Sequence, residues 1–283
     1  MSTLFIPSAT ASRGRLPDNW PEHVVVATDG RSQSDSALRA ARALCGSITF
    51  DALTVIEPPD AKAGNEPLPV ATSSIDARRA LVATQLQRVL GQSSGSISVR
   101  SGYAPAVLAS FAMTHGTSLL VVGLGRPRVF DRLLGGESLY RLARMARTPL
   151  FAVADDAPAP PRRLVVATDF TPASMGAAML ALSVAAFDAD VWLAHVSSPD
   201  QPPPGGRLRR LAESLQTGFC GRVKPVILPG DPATELLALA KDGGADAIAF
   251  ATHSHPTSGN APLGAVASRL VRCASCSVLL MPA

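Results

Sequence analysis

Three short stretches carry residue types that could hold an anionic, hydrogen-bonding ligand. Ala27-Thr28-Asp29 ends one apolar run, Ile56-Glu57 ends another, and Val122-Gly123-Leu124-Gly125-Arg126 leads on to Gly135-Gly136-Glu137-Ser138. Glycines after a buried strand let backbone amides approach an anion, and a helix opening at Gly136 would add its exposed amides and dipole. A carboxylate at Asp29 would accept hydrogen bonds from a ribose or an adenine edge. Together these residues suggest a nucleotide cleft. The spacing alone fits equally well with glycines that only turn a corner and an aspartate that only caps a helix.

The elements that must position these residues occur twice. Val24-Val25-Val26-Ala27-Thr28-Asp29-Gly30 returns as Leu164-Val165-Val166-Ala167-Thr168-Asp169-Phe170, 140 residues on (Asp29 to Asp169). Gly102 is echoed by Gly230 and Gly123 by Ala251 at a separation of 128, so the first copy holds 12 extra residues (140 − 128) between its second and third strands. The stretch from Pro58 to Ser74, rich in Pro, Ala, Ser and Gly, supplies them and reads as a surface loop or lid. The repeat predicts a flexible tail over residues 1–21, one domain over 22–156, a proline-rich linker over 157–162 and a second domain over 163–283.

Within the first copy, Val24 to Ala27 is a continuous β-branched run, as expected of a strand covered on both faces. Ser32 to Leu44 follows with Ala37, Leu38, Ala41 and Leu44 at helical spacing. Strand 49–56, helix 77–90, strand 97–100, helix 105–115, strand 119–123, helix 136–147 and strand 150–154 complete the copy. The second copy repeats this order as strands 164–167, 191–196, 223–228, 247–251 and 277–281, with helices 172–187, 208–217, 232–241 and 264–273 between them. Such alternation predicts an α/β fold of two tandem doubly wound five-stranded parallel-sheet domains. Ligands of open α/β sheets settle outside the carboxyl ends of the strands, where the three stretches lie.

The composition bounds the partners. Of 283 residues, 47% are hydrophobic and 17% charged, enough to bury a core in each half. No apolar run reaches the roughly 18 residues of a membrane span. A net charge of +4, mostly from dispersed arginines, is dilute for a nucleic-acid surface. Neither a membrane nor a nucleic acid is therefore expected as a partner. Leu4-Phe5-Ile6 is shorter than the about 7 to 15 apolar residues of a signal-peptide core. The expected location is cytoplasmic, with Cys45, Cys220, Cys273 and Cys276 as thiols.

The Ala-Thr-Asp after the first strand, the glycine stretch after the fourth and the order of elements together resemble the universal stress protein family over nearly all of residues 22 to 283. The resemblance implies a Rossmann-like fold in tandem. In the family's nucleotide-binding members the loop runs Gly, two residues, Gly, nine residues, Gly, then Ser or Thr, around the phosphates of ATP. Laid on the first copy, this pattern keeps Gly123 and Gly136, with Arg126 in place of the second glycine and Glu137 in place of the hydroxyl. Gly125 partly restores the turn one residue early. A carboxylate about 5 Å from a phosphate charge would cost roughly 3 kcal/mol at an effective dielectric near 20, unless Arg126 or Arg128 offsets it. The second copy retains Gly264 and Asp169 but carries Ala251, Ser254 and Ala265 at the other loop positions, with Thr252 and Ser258 as further hydroxyls.

The resemblance thus implies a nucleotide site in the first domain at Ala27, Thr28, Asp29, Ile56, Val122, Gly123, Gly125, Arg126, Gly136, Glu137 and Ser138. It implies a weaker one in the second at Ala167, Thr168, Asp169, Val196, Ala251, Ser254, Gly264 and Ala265. The implied cofactor is ATP or another adenine nucleotide, with or without Mg, and none if the loops are degenerate. The family also implies intramolecular pairing of the domains through their fifth strands, as a pseudo-dimer, to which a homodimer of whole chains could be added.

Other motifs carry less. His253-Ser254-His255 has no third metal ligand at turn or helical spacing. Cys273-Ala274-Ser275-Cys276 falls at a helix C-terminus, where the dipole disfavours a thiolate, and reads as a structural pair. His195 is open between lining the second cleft and serving as a satisfied core histidine. No nucleophile elbow and no Walker loop is present. Three functions follow, in order: a nucleotide-binding stress-response regulator acting by binding rather than turnover, a nucleotide-free interaction scaffold, and a slow ATPase.

Overall fold

The computed structural model describes residues 21–45, 50–58, 71–91, 95–124, 135–197, 204–252 and 263–282. The expected tail up to residue 20, most of the 58–74 insertion, Gly125, Arg126, Arg128 and the stretch holding His253, Ser254, His255 and Ser258 lie outside them.

The first repeat runs β1 (Val24–Ala27), a 3-10 turn (Ser32–Ser34), α1 (Asp35–Cys45), β2 (Asp51–Ile56), α2 (Thr72–Leu90), β3 (Ile97–Ser101), α3 (Ala104–Thr114), β4 (Leu119–Gly123), α4 (Gly135–Met145) and β5 (Leu150–Val153). The second runs β6 (Arg163–Ala167), α5 (Pro172–Val184), β7 (Asp190–Ser197), α6 (Gly205–Gln216), β8 (Arg222–Pro229), α7 (Pro232–Asp242), β9 (Ala247–Ala251), α8 (Ala265–Cys273) and β10 (Ser277–Met281). The α/β architecture expected from the alternation is the one observed. Helix α2 begins at Thr72, five residues before the apolar pattern announces it, because its first turns are exposed and carry no buried face to read.

All the strands join one sheet in the order β3-β2-β1-β4-β5-β10-β9-β6-β7-β8. Neighbours are parallel everywhere except at the centre, where β5 and β10 run antiparallel with Ala152 opposite Val278, Phe151 opposite Leu279 and Leu150 opposite Leu280. The fifth strands therefore cover each other's edges, which would otherwise offer unpaired amides and carbonyls.

Period-two alternation sends successive residues of each strand to opposite layers. Val24 and Val26 pack with Leu38 of α1 and Leu86 of α2, whereas Val25 packs with Ala109 of α3 and Leu142 of α4. Because helices cover both faces, the strands need apolar side chains in both directions. This explains the uninterrupted hydrophobic runs. Within each repeat the strand order reverses beside its first strand, the place where open α/β sheets take their ligands at the carboxyl ends.

Candidate functional site

In the first repeat that place holds a cleft of ≈ 440 Å³ between the ends of β1, β2 and β4 and the starts of α3 and α4. Ala27, Thr28 and Asp29 form one wall, Val122 and Gly123 another, and Ser138 closes the α4 side. Leu53, Val55, Leu108 and Leu142 add apolar surface. Thus six of the residues singled out in the sequence meet at one place. Ile56 is not among the lining residues and its neighbours Val55 and Glu57 are, since alternation turns Ile56 toward the other layer. A wholly apolar strand end conceals this phase from sequence inspection.

Gly123 is a glycine for a packing reason. A Cβ there would stand 2.8 Å from the carbonyl oxygen of Gln33 and 3.2 Å from Cα of Ser34, so the 3-10 turn can approach β4 only if the side chain is absent. The turn itself is tied by Asp29, whose Oδ1 accepts from the Arg31 amide at 3.0 Å and from Ser34 Oγ at 3.0 Å. Asp29 therefore both ties this turn and walls the cleft.

Beneath the turn lies a buried polar network that motif inspection missed. Gln85 of α2 accepts from Thr28 Oγ1 at 2.5 Å. Its amide nitrogen donates to the Arg31 carbonyl at 2.6 Å and to Asp35 Oδ1 at 2.7 Å. Arg88 completes the set with paired contacts of 2.7 and 2.8 Å to Asp35. Burial by itself would raise the Asp35 carboxyl, but the hydrogen bonds from Arg88 and Gln85 outweigh it and hold the group below the usual carboxylate range. A glutamine within a helix of otherwise aliphatic buried residues, Val82 and Leu86, was the available signal.

At the start of α4, Glu137 does not line the cleft. Its Oε1 accepts from Arg141 Nε at 3.2 Å and its Oε2 from Arg272 Nη2, across the β5–β10 seam, at 3.3 Å. Arg141 also donates to the Tyr103 hydroxyl at 2.9 Å, and that hydroxyl first, then Glu137, raises the guanidinium's pKa above its ordinary value. Gly136 belongs to the opening turn of the same helix.

The second repeat builds the same turn differently. Asp169 Oδ1 accepts from the Thr171 amide at 3.0 Å and from Thr171 Oγ1 at 2.6 Å. Thr171 in turn caps α5. Thr168 repeats the role of Thr28, accepting from the amide two residues on, at 3.0 Å from Phe170. Phe170 adopts φ 65°, where the first repeat has Gly30 at φ 81°. Its ring packs 4.7 Å from His195 and beneath the Arg207 guanidinium at 4.4 Å. His195 Nδ1 lies 2.8 Å from the Thr168 carbonyl oxygen, in the layer opposite the one that holds Ala167, Ala194 and Val196. It is thus a satisfied histidine packed on the Phe170 side of the sheet. Ala251 ends β9, and Gly264 and Ala265 open α8.

Cys45 and Cys276 are buried, and burial pushes both thiols up to about 11, while Cys220 and Cys273 are exposed. Among the described residues no group of three or more His, Cys, Asp or Glu stands where it could hold a metal ion. No helix among them is long and apolar enough to cross a membrane.

A family model described as the universal stress protein family matches residues 21–154 and again 161–282. Among curated proteins none matches the chain. Among solved structures, a universal stress protein from Archaeoglobus fulgidus DSM 4304 aligns over 92% of this chain and 98% of its own, at 18% identity and a TM-score of 0.69. A functionally unknown protein from Pseudomonas aeruginosa PAO1 aligns over 92% of both chains, at 13% identity and a TM-score of 0.61. At these identities the likeness is one of fold.

Proposed function

The chain belongs to the universal stress protein family, and on that premise we propose that it binds an adenine nucleotide in the cleft of its first domain and regulates the stress response by that binding rather than by turnover. The observation that carries this reading is the ≈ 440 Å³ cleft at the strand-order reversal, with acceptors on one wall and the opening turn of α4 on the other. Its size falls within the roughly 300–1,000 Å³ of small-ligand sites. Leu53, Val55 and Leu108 offer apolar surface to a base, and Asp29 and Glu57 offer acceptors to a sugar or an exocyclic amine. Ser138 and the first amides of α4 offer donors to a phosphate. A magnesium ion would come with the phosphates, since the chain's described residues supply no cluster for it.

The second domain supports a different reading, that of an assembly element. The methyl groups of Ala251 and Ala265 stand where the family's nucleotide loop has a glycine and a hydroxyl. The β5–β10 ladder supports an intramolecular pseudo-dimer in which this half backs the first. The test is isothermal calorimetry of the whole chain with ATP, ADP and AMP, paired with mass spectrometry of the supernatant released by heating. One nucleotide per chain is expected. Absence of heat and of thermal stabilisation with all three would leave only the scaffold reading.

A further inference from the structure

The pairing of Glu137 reaches across the two domains in one direction only. The repeat separation of 128 residues equates Glu137 with Ala265, Arg141 with Arg269, Tyr103 with Asp231 and Arg144 with Arg272. In the second domain Arg269 pairs with Asp231 at 2.6 Å, and Ala265 gives Arg144 no carboxylate to meet. In the first domain a phenol, Tyr103, replaces that aspartate, so Arg141 turns to Glu137 as well. Arg272 from α8 supplies the second cation to Glu137, and its guanidinium is held 4.0 Å over the Tyr140 ring of α4.

Two members of this chain of contacts adjoin the cleft: Ser138 follows Glu137, Ala104 follows Tyr103, and both Ser138 and Ala104 line it. A carboxylate in the first turn suits the helix dipole but repels a phosphate brought to the same turn. Two guanidinium groups on Glu137 reverse that local balance from negative to positive.

We propose that Arg272 of the second domain is a positioning residue for the first domain's cleft, holding Glu137 neutralised and turned aside so that α4 can receive an anionic ligand. The cleft's affinity for phosphorylated ligands is then tuned by the interdomain seam, and any event that separates α8 from α4 weakens the hold on the ligand. This rests on the nucleotide reading above.

The experiment is calorimetry of the full chain with ATP, AMP and adenosine. Arg272→Gln keeps most of the stem but removes the charge. It is expected to weaken ATP by about fivefold, AMP by less and adenosine not at all. Arg272→Lys should retain most of the ATP affinity, and adding Glu137→Gln to Arg272→Gln should restore it. An equal loss for all three ligands, no loss for ATP, or no restoration by Glu137→Gln would overturn the inference while leaving the nucleotide reading intact. A wild-type chain that binds none of the three overturns both.

Discussion

The turn after β1 and the turn after β6 share a sequence, Ala-Thr-Asp, and a hydrogen-bond pattern, yet they are supported by different materials. In the first domain the support is polar: Gln85 reaches from α2 to Thr28, Arg31 and Asp35. In the second it is aromatic and cationic, with Phe170, His195 and Arg207 layered together. Aligning the buried positions of the two helices, Val82 and Leu86 with Leu208 and Ala212, puts Leu211 in the place of Gln85. The same backbone turn can thus be retained while its underside is rebuilt, provided each buried polar group finds a partner. The comparison also separates two roles of the aspartate. Tying the turn through the amide two residues on is kept in both copies, whereas the cleft-side features, Gly123 beside the turn and Ser138 opposite it, have Ala251 and Val266 at the corresponding positions of the second copy.

The sharpest way to break this comparison is to give the first domain the second domain's solution. Gln85→Leu takes the side-chain acceptor from the buried Thr28 hydroxyl and a donor from the Arg31 carbonyl and from Asp35, and should cost about 2–3 kcal/mol in urea denaturation of the whole chain. A loss under about 0.5 kcal/mol would mean that the polar underside is no more than an alternative to packing. Next in size is the ligand response. Asp29→Ala should weaken ATP at least about tenfold, with about 1 kcal/mol of stability lost with the cap, whereas Asp169→Ala should cost similar stability and leave the ATP titration unchanged. The opposite pattern would move the ligand to the second domain.

The smallest effect is on acid stability. Asp35 and Asp51 are held below the ordinary value of 3.8 despite their burial, through Arg88 and Gln85 in one case and His23 and Ser96 in the other. A depressed folded-state value stabilises the protein fully above the unfolded value and loses that contribution as pH falls through the folded one. The melting temperature should therefore decline below about pH 4, and Asp35→Asn should flatten the decline. In the second domain Asp190 is lowered by Arg222, but at the surface, so its contribution should fade in high salt while that of Asp35 persists. A salt sensitivity clearly smaller in Asp35→Asn than in wild type below pH 4 would contradict this division.

Much of the first cleft was legible because its residues sit at places where the chain must change direction. Thr28, Asp29 and Gly123 follow or end buried apolar runs, where the chain leaves the sheet. Val55 and Glu57 were harder to separate from Ile56, because a strand buried on both faces carries no polar alternation to fix its phase. Gln85 was hidden for a different reason. A single polar residue on a buried helix face has meaning only once its partners, 50 to 57 residues away, are brought beneath it. Glu137 read as an obstacle to phosphate while its neighbours in the chain were the only ones in view, and its partner Arg272 lies 135 residues on.

The order of residues by itself determined the repeat, the alternation of strands and helices and the ends of the strands where a ligand could sit. These depend on local periodicity and turn chemistry, which act over a few residues. Only the tertiary structure decided that ten strands form one continuous sheet through the β5–β10 ladder, which way each strand end faces, and that a carboxylate beside one domain's cleft is balanced by an arginine of the other. Those depend on which distant surfaces come into contact, and short-range patterns do not encode that.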